Sequence, residues 1–277
     1  MKIDQNPFSL YDFLGYLIPG LFFTYATMFI WKFDFFNPSL KIDINLSIDD
    51  YFIVVVLSYI VGHILSYLSS ITVELYSIWT LDYPSRYLLD LQYQYPGFWR
   101  RIFHDRSLII ILIKIAIVFS IFPVFIIDVL IRNIIKTPKI LGKPMDKLTI
   151  TLVKEKIPQY LEANYTIDKE FLPLNKKEND FFNLIYHKAL ESCGMHVTKL
   201  QNYVALYGFT RTICYSLILL IWLIVLRGFG GMFSINVCIA IFILVILAGI
   251  MYLDFNKFYR KFSQEAFFAF LSINKNT

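Results

Sequence analysis

Charged residues are scarce in this chain of 277 residues. They make up 17% of the composition, whereas hydrophobic residues make up 57%. Soluble domains average about 25% charged and about 45–50% apolar residues, so the composition argues against a soluble globular protein.

Cysteines and the sequence signatures of common enzymes are scarce as well. The three cysteines are an odd number, and two of them lie in or beside apolar runs, which argues against a disulfide framework. The chain has no phosphate-binding glycine loop, no H-E-x-x-H zinc motif and no G-x-S-x-G nucleophile motif. We therefore expect no catalytic residues, no metal and no cofactor, and we expect the protein not to be an enzyme.

The abundant apolar residues are arranged in blocks long enough to cross a bilayer. A membrane helix needs about 20 mostly apolar residues to span a hydrocarbon core of about 30 Å. We predict an N-terminal membrane region, residues 1–131, with spans at about 13–31 and 51–73 and a hydrophobic block at 107–131. A C-terminal transmembrane hairpin is predicted within residues 203–253. The predicted fold is an all-α, polytopic helical bundle in a membrane.

Two polar segments complete the predicted organisation. Residues 132–202 form the longest polar stretch, and their amphipathic patterns predict a small helical segment outside the membrane. Residues 254–277 alternate basic side chains with aromatic ones. This alternation predicts an interfacial amphipathic helix that lies on the membrane surface.

The number of crossings depends on the block at 107–131. Cytoplasmic loops carry an excess of lysine and arginine near span ends, and basic residues flank this block on both sides. A full crossing would therefore place one basic flank outside, whereas a segment that enters and returns near Pro123 would not. The sequence leaves four or five spans open, with the N-terminus inside or outside respectively. In both versions residues 132–202 and the C-terminal tail are cytoplasmic, and the expected location is the cell inner (plasma) membrane.

The second span carries a polar stripe. At 100° per residue in an α-helix, one narrow arc holds Tyr59, His63, Ser66, Tyr67, Ser70 and Glu74. Polar groups that face lipid lack partners, so we expect this stripe to face other helices or water. Two interpretations remain open, namely a pore, ion path or ligand cavity, and a set of hydrogen bonds that holds the bundle together.

The start of the first span of the C-terminal hairpin adds Tyr207 and Arg211 to this polar surface. A charged side chain at the bilayer centre costs at least about 2.5–3.5 kcal/mol, so Arg211 needs a partner or must reach the interface. Glu74 is the best candidate because it closes the stripe of the second span. The two residues lie on the same side only with four crossings, so we predict their contact together with that topology.

A basic run begins the polar segment. Its cations are Arg132, Lys136, Lys139, Lys143 and Lys147. Each cation near an anionic membrane surface is worth about 1 kcal/mol, so the run predicts a patch that attracts anionic lipid. Nucleic acid is not an expected partner, because the segment has no signature of a base-reading fold.

Three functions are compatible with these features. The first is a non-enzymatic, oligomeric membrane effector or channel-like component gated through its cytoplasmic segment. The second is a membrane anchor or scaffold that recruits a cytoplasmic partner through residues 132–202. The third is a membrane-embedded enzyme that acts on lipid. The expected partners are membrane lipids and either further copies of the chain or another protein.

Overall fold

The computed structural model describes residues 12–32, 48–91, 107–135, 142–165, 181–192, 194–228 and 234–273. These residues are 91% helical and include no strand, which confirms the predicted all-α bundle. Four of their helices are long and apolar enough to cross a membrane.

The helices follow the predicted blocks closely in the first half of the chain. The membrane helices there are α1 (Ile18–Lys32), which follows a π-helical turn at Phe13–Leu17, and α2 (Ile48–Ser69). A second π-helical turn, Ser70–Glu74, joins α2 to α3 (Leu75–Leu81), and α4 (Pro84–Tyr87) follows. The hydrophobic block forms α5 (Leu108–Ser120) and α6 (Phe122–Ile135). The second half contains α7 (Lys147–Asn164), α8 (Phe182–Ser192), α9 (Gly194–Gly228) and α10 (Ile235–Ser272).

Glycines allow α1 and α2 to pack closely side by side. A Cβ atom added to Gly20 would overlap the backbone carbonyl of Ser58, and one added to Gly62 would overlap that of Tyr16. Small residues at helix contacts let backbones approach in this way in membrane proteins. The order of the pairs along the two helices makes α1 and α2 antiparallel.

The long helix α9 lies in the centre of the bundle and runs antiparallel to α2. Near its middle, Arg211 contacts Glu74 at the end of the π-helical turn that follows α2. Near its end, Arg227 donates a hydrogen bond to the carbonyl of Ile30, which is in the last turns of α1. The Cys214 thiol also faces the carbonyl of Ala248 on α10 at 3.4 Å. The four long helices α1, α2, α9 and α10 therefore alternate in direction.

The hydrophobic block is bent by 83° at Ile121, next to Pro123. On one side of the bend, the Lys114 ammonium lies 5.6 Å from the centre of the Trp79 ring. On the other side, Asp128 accepts a hydrogen bond of 2.6 Å from the Tyr76 hydroxyl. Both contacts involve neighbouring turns of α3, so the two arms of the block approach the same end of the bundle.

The bend itself reaches deeper into the bundle than its two arms. The carbonyl of Ser120 accepts a hydrogen bond of 2.8 Å from the indole of Trp222. Trp222 lies about three turns beyond Arg211 along α9, away from the end where Arg211 meets Glu74. Within the bundle, the bend between α5 and α6 therefore lies deeper than Lys114 of α5 and Asp128 of α6.

The expected interfacial helix at residues 254–277 is wrong as a separate element. Helix α10 continues without a break for 38 residues, from Ile235 to Ser272. No glycine or proline follows Gly249 in α10 to stop it. The aromatic side chains of this extension enter the protein core, since Phe267 is 0% and Phe270 1% exposed.

The end of α10 instead organises a helical subdomain together with α4, α7 and α8. Its core joins residues that are distant in sequence, namely Leu88, Leu89, Val153, Ile157, Ile185, Phe267 and Phe270. The N-terminus of α7 is capped by Asp146, whose carboxylate accepts a 2.8 Å hydrogen bond from the Thr149 amide. Two hydrogen bonds that Thr149 donates lower the pKa of Asp146. The bond from the Thr149 hydroxyl has the larger effect, and the bond from its amide has the smaller one.

The boundary expected at residue 202 also moves. Helix α9 begins at Gly194, so the last residues of the polar segment already belong to the helix that enters the bundle. The reason is that the residues from Gly194 to Asn202 contain no helix breaker after Gly194, so the helical pattern continues into the span. The described parts of the segment 132–202 therefore share helix α9 with the bundle and a core with the end of α10.

Candidate functional site

The predicted contact between Glu74 and Arg211 is present. Arg211 donates from Nη1 to Oε2 of Glu74. The arginine side chain is 9% exposed and the glutamate side chain 20% exposed. A pair this deeply placed must satisfy its remaining donors, because a buried charge without partners is strongly destabilising.

Serines of α2 supply those remaining partners. Arg211 donates from Nε to the Ser69 hydroxyl at 3.1 Å, and its Nη2 lies 3.5 Å from both the carbonyl and the hydroxyl of Ser66. The Ser69 hydroxyl donates in turn to the Ser66 carbonyl at 2.8 Å. Each nitrogen of the guanidinium thus faces an oxygen of α2 or of its π-helical turn.

The π-helical turn Ser70–Glu74 is what brings these acceptors onto one face. In an uninterrupted α-helix, Glu74 would lie about 140° around the axis from Ser69. The wider turn contains an additional residue and reduces this rotation. The predicted stripe did not include Ser69, because a uniform rotation of 100° per residue places Ser70, and not Ser69, on the same face as Glu74.

The predicted polar stripe divides into an inner and an outer part. Ser66, which is 7% exposed, faces α9 together with Glu74. Tyr67 is 66% exposed, and His63 is also exposed on the outer surface of α2. Within this chain the inner part therefore faces α9, whereas Tyr59 and His63 of the outer part meet Tyr16 of the preceding helix. A single helix face cannot hold both parts, because side chains one residue apart point about 100° away from each other.

Aromatic rings surround the outer histidine. His63 stacks on Tyr16 of the preceding helix, with ring centres 3.8 Å apart. Tyr59 meets the same imidazole edge to face at 4.7 Å. Ser70, the last of the outer residues, donates its hydroxyl to the carbonyl of Tyr67 at 2.7 Å.

A second polar cluster lies one turn beyond the ion pair. The buried carboxylate of Asp128 accepts from Tyr76, as described above, and the Ser77 hydroxyl donates to Oδ1 of Asn256 at 2.5 Å. Asn256 donates to the carbonyl of Tyr252 at 2.8 Å. The sequence analysis missed Ser77 and Asn256, although an asparagine in a long apolar helix is a signal that could have found the second one.

A cavity of about 590 Å³ lies between the helical subdomain and the bundle. Helices α8, α9 and α10 and the start of α4 form its walls. Most of the described lining is aromatic, as shown by Tyr83, Phe182, Tyr186, Tyr207, Tyr259 and Phe262. Arg86 contributes a charged side chain. Burial raises the pKa of the Tyr186 phenol. Tyr207, which the sequence placed beside Arg211, lines this cavity one turn away from the ion pair.

The predicted anionic-lipid patch is only partly within the described residues. Lys143 and Lys147 are exposed. Lys136 and Lys139 lie outside the described residues, as does the side chain of Arg132. The attraction of this run to anionic lipid stays a prediction.

The geometry forms neither a hydrolytic centre nor a metal site in the part of the chain described. His63 points outward and makes no hydrogen bond with Ser66, whose hydroxyl faces Arg211. The same described residues hold no group of three or more His, Cys, Asp or Glu side chains that could bind a metal ion. The buried polar groups instead pair with one another across helices, as Arg211 does with Glu74 and Ser77 with Asn256.

Comparison of the chain with protein-family models, with curated proteins and with solved structures yields no match. The class of the protein therefore rests on its own fold. The structure defines a multi-pass helical membrane protein with a buried ion pair at the junction between its bundle and its helical subdomain.

Proposed function

We propose that this chain is a non-enzymatic component of an oligomeric membrane assembly, either channel-like or membrane-perturbing, which is controlled through its helical subdomain. The proposal places the subdomain in the cytoplasm, because lysines and arginines concentrate on that end of the bundle. It also makes the bent pair α5 and α6 a re-entrant segment, so that four helices cross the membrane and both termini are inside.

The single observation that carries this proposal is the position of the Glu74–Arg211 pair. The pair lies where α9 and α10 pass without interruption from the apolar bundle into the helical subdomain. A displacement of the subdomain would therefore act directly on the helices that hold the pair. Packed cores and ion pairs switch between discrete arrangements rather than deform continuously, which suits a gate at this level.

The aromatic cavity supports control from the cytoplasmic side. It is bordered by α8 of the subdomain and by α9 and α10, and its lining reaches Tyr207, one turn from Arg211. A ligand or peptide segment that filled the cavity would press on the helices that carry the ion pair. The cavity volume is within the range of about 300–1,000 Å³ usual for small-molecule sites.

Flux through liposomes tests this function. The purified chain is reconstituted into vesicles of phosphatidylethanolamine and phosphatidylglycerol that contain a fluorescent ion indicator. We expect ion flux that rises more steeply than linearly with protein density. Glu74→Gln, which keeps the size of the side chain but removes its charge, should change the flux about tenfold, a typical coupling of 1–3 kcal/mol. The exposed change Lys147→Gln is the matched control, and absence of flux from the unmodified chain would contradict the proposal.

The anchor or scaffold function is supported by one surface feature. Leu148 and Leu152 lie one turn apart on α7 and are 70% and 46% exposed. Exposed leucines on a helix outside the predicted spans suit an interaction with a cytoplasmic protein. If a soluble protein co-purifies in a fixed ratio and is lost in Leu148→Ser together with Leu152→Ser, while the vesicles show no flux, the second function replaces the first.

A further inference from the structure

We infer that the outer face of α2 is the interface between two copies of this chain in the membrane. The face consists of Ile53, Val56, Ile60, His63, Tyr67 and Ser70, and we call it the α2 seam. The inference deepens the proposed function, since it rests on self-association and names the surface and the partner that produce it.

The α2 seam has the spacing of a helix–helix interface. Its members follow one another at alternating intervals of three and four residues, which is the repeat of paired, left-handed helices. The apolar members are well exposed, with 55% for Ile53, 43% for Val56 and 50% for Ile60. Lipid would be a favourable neighbour for a stripe that is apolar throughout. The polar members therefore determine which kind of partner binds the seam.

His63 is the centre of the seam and lies about midway along the second span. Within the described part of the chain, its ring makes aromatic contacts with Tyr16 and Tyr59 but accepts and donates no hydrogen bond. The hydroxyl of Tyr67, one turn further on and 66% exposed, likewise has no hydrogen-bond partner among the described residues. Unpaired polar groups cost several kcal/mol each in hydrocarbon, so lipid is a poor neighbour for this pair of side chains.

A second copy of the chain fits this chemistry. Two copies inserted in the same direction bring identical levels of α2 together around a two-fold axis. A neutral imidazole has one donor and one acceptor, and a phenol hydroxyl both donates and accepts, so each group can pair with its own equivalent. The seam is therefore self-complementary, and its polar positions among apolar ones fix the register of such a pair.

Cysteine cross-linking in native membranes tests the interface. In a chain with Cys193→Ala and Cys238→Ala, which keeps the buried Cys214, the changes Ile60→Cys and Tyr67→Cys are made one at a time. We expect oxidation to give a cross-linked dimer for both. Phe242→Cys, on the 64% exposed apolar surface of α10, is the matched control and should remain monomeric.

The variant His63→Leu tests whether the association of two copies depends on the polar contact or only on the apolar surface. We expect this change to lower the association constant in lipid about tenfold, because interhelical hydrogen bonds in membranes are worth about 0.6–2 kcal/mol each. A cross-link at Phe242→Cys without one at Ile60→Cys would overturn the α2 seam while leaving self-association intact. A monomer in every lipid composition, measured by single-molecule photobleaching, would overturn the seam and the oligomeric function together.

Discussion

Arg211 and Glu74 form a salt bridge although 137 residues separate them in the chain. The glutamate ends the π-helical turn that follows α2, and the arginine lies near the middle of α9. Two other nitrogens of its guanidinium face Ser66 and Ser69. This contact fixes α2 and α9 as antiparallel neighbours. It also connects the membrane bundle to the helices that continue into the subdomain.

Removing either partner of this pair should destabilise the protein. Arg211→Ala leaves a carboxylate without its cation, and Glu74→Ala leaves a guanidinium held only by serines. Each should cost about 3 kcal/mol, the lower end for breaking a buried pair, because Glu74 retains some exposure. The double change should cost less than the sum of the two, by about 1–3 kcal/mol. Unfolding free energies measured in bicelles by steric trapping provide the comparison.

The control for this cycle pairs Glu74→Ala with Lys147→Ala. Lys147 is exposed on α7, and its effect should add to that of Glu74 within about 0.5 kcal/mol. Strict additivity between Arg211 and Glu74 would mean that the salt bridge contributes nothing to the fold.

The close approach of α1 and α2 should not tolerate a methyl group at Gly62. Its Cβ atom would overlap the backbone carbonyl of Tyr16, which cannot move aside as a flexible side chain would. Gly62→Ala should therefore lower stability by about 1–3 kcal/mol, the usual cost of overpacking. Gly194→Ala is the matched control, because no atom lies within 4 Å of its added Cβ. Equal melting temperatures of the two variants in detergent would contradict this packing.

The end of α10 should behave as protein core and not as a surface helix. Phe267→Ala removes a side chain that is 0% exposed and should cost about 3–5 kcal/mol. Phe268→Ala, one residue further on and 37% exposed, should cost no more than about 0.5 kcal/mol. Hydrogen exchange of α7 and α8 reports the difference, since both helices pack on this part of α10. Similar exchange in both variants would restore the interfacial helix expected from the sequence.

The sequence predicts the crossing helices well, because an apolar run of about 20 residues in water has few alternatives to a membrane span. The contact between Glu74 and Arg211 could also be predicted, since two charges near the ends of neighbouring spans each need a partner. Both inferences depend on the energetics of burial and not on the details of side-chain packing.

Local helix geometry and tertiary contacts explain what the sequence does not predict. A regular helical wheel fails beyond Ser69, because the π-helical turn changes the rotation that brings Glu74 to the inner face. The same helical wheel places His63 and Ser66 on one surface of α2. In the structure, Ser66 faces α9, whereas His63 is exposed on the outer surface of α2. The aromatic residues of the α10 extension suit either a lipid surface or a protein core, and only the presence of α7 and α8 decides between them.

In the proposed topology, four helices cross the membrane in alternating directions, and α5 and α6 return to the side from which they entered. Thiol accessibility at Ser107→Cys and Lys143→Cys, which flank this pair and are both exposed, tests this topology in cells. We expect a membrane-impermeant maleimide to label neither position until the membrane is permeabilised, whereas Ile235→Cys, at the opposite end of the bundle, should be labelled from outside. Labelling of Ser107→Cys in intact cells with protection of Lys143→Cys would show that the block crosses the membrane and that the proposed topology is wrong.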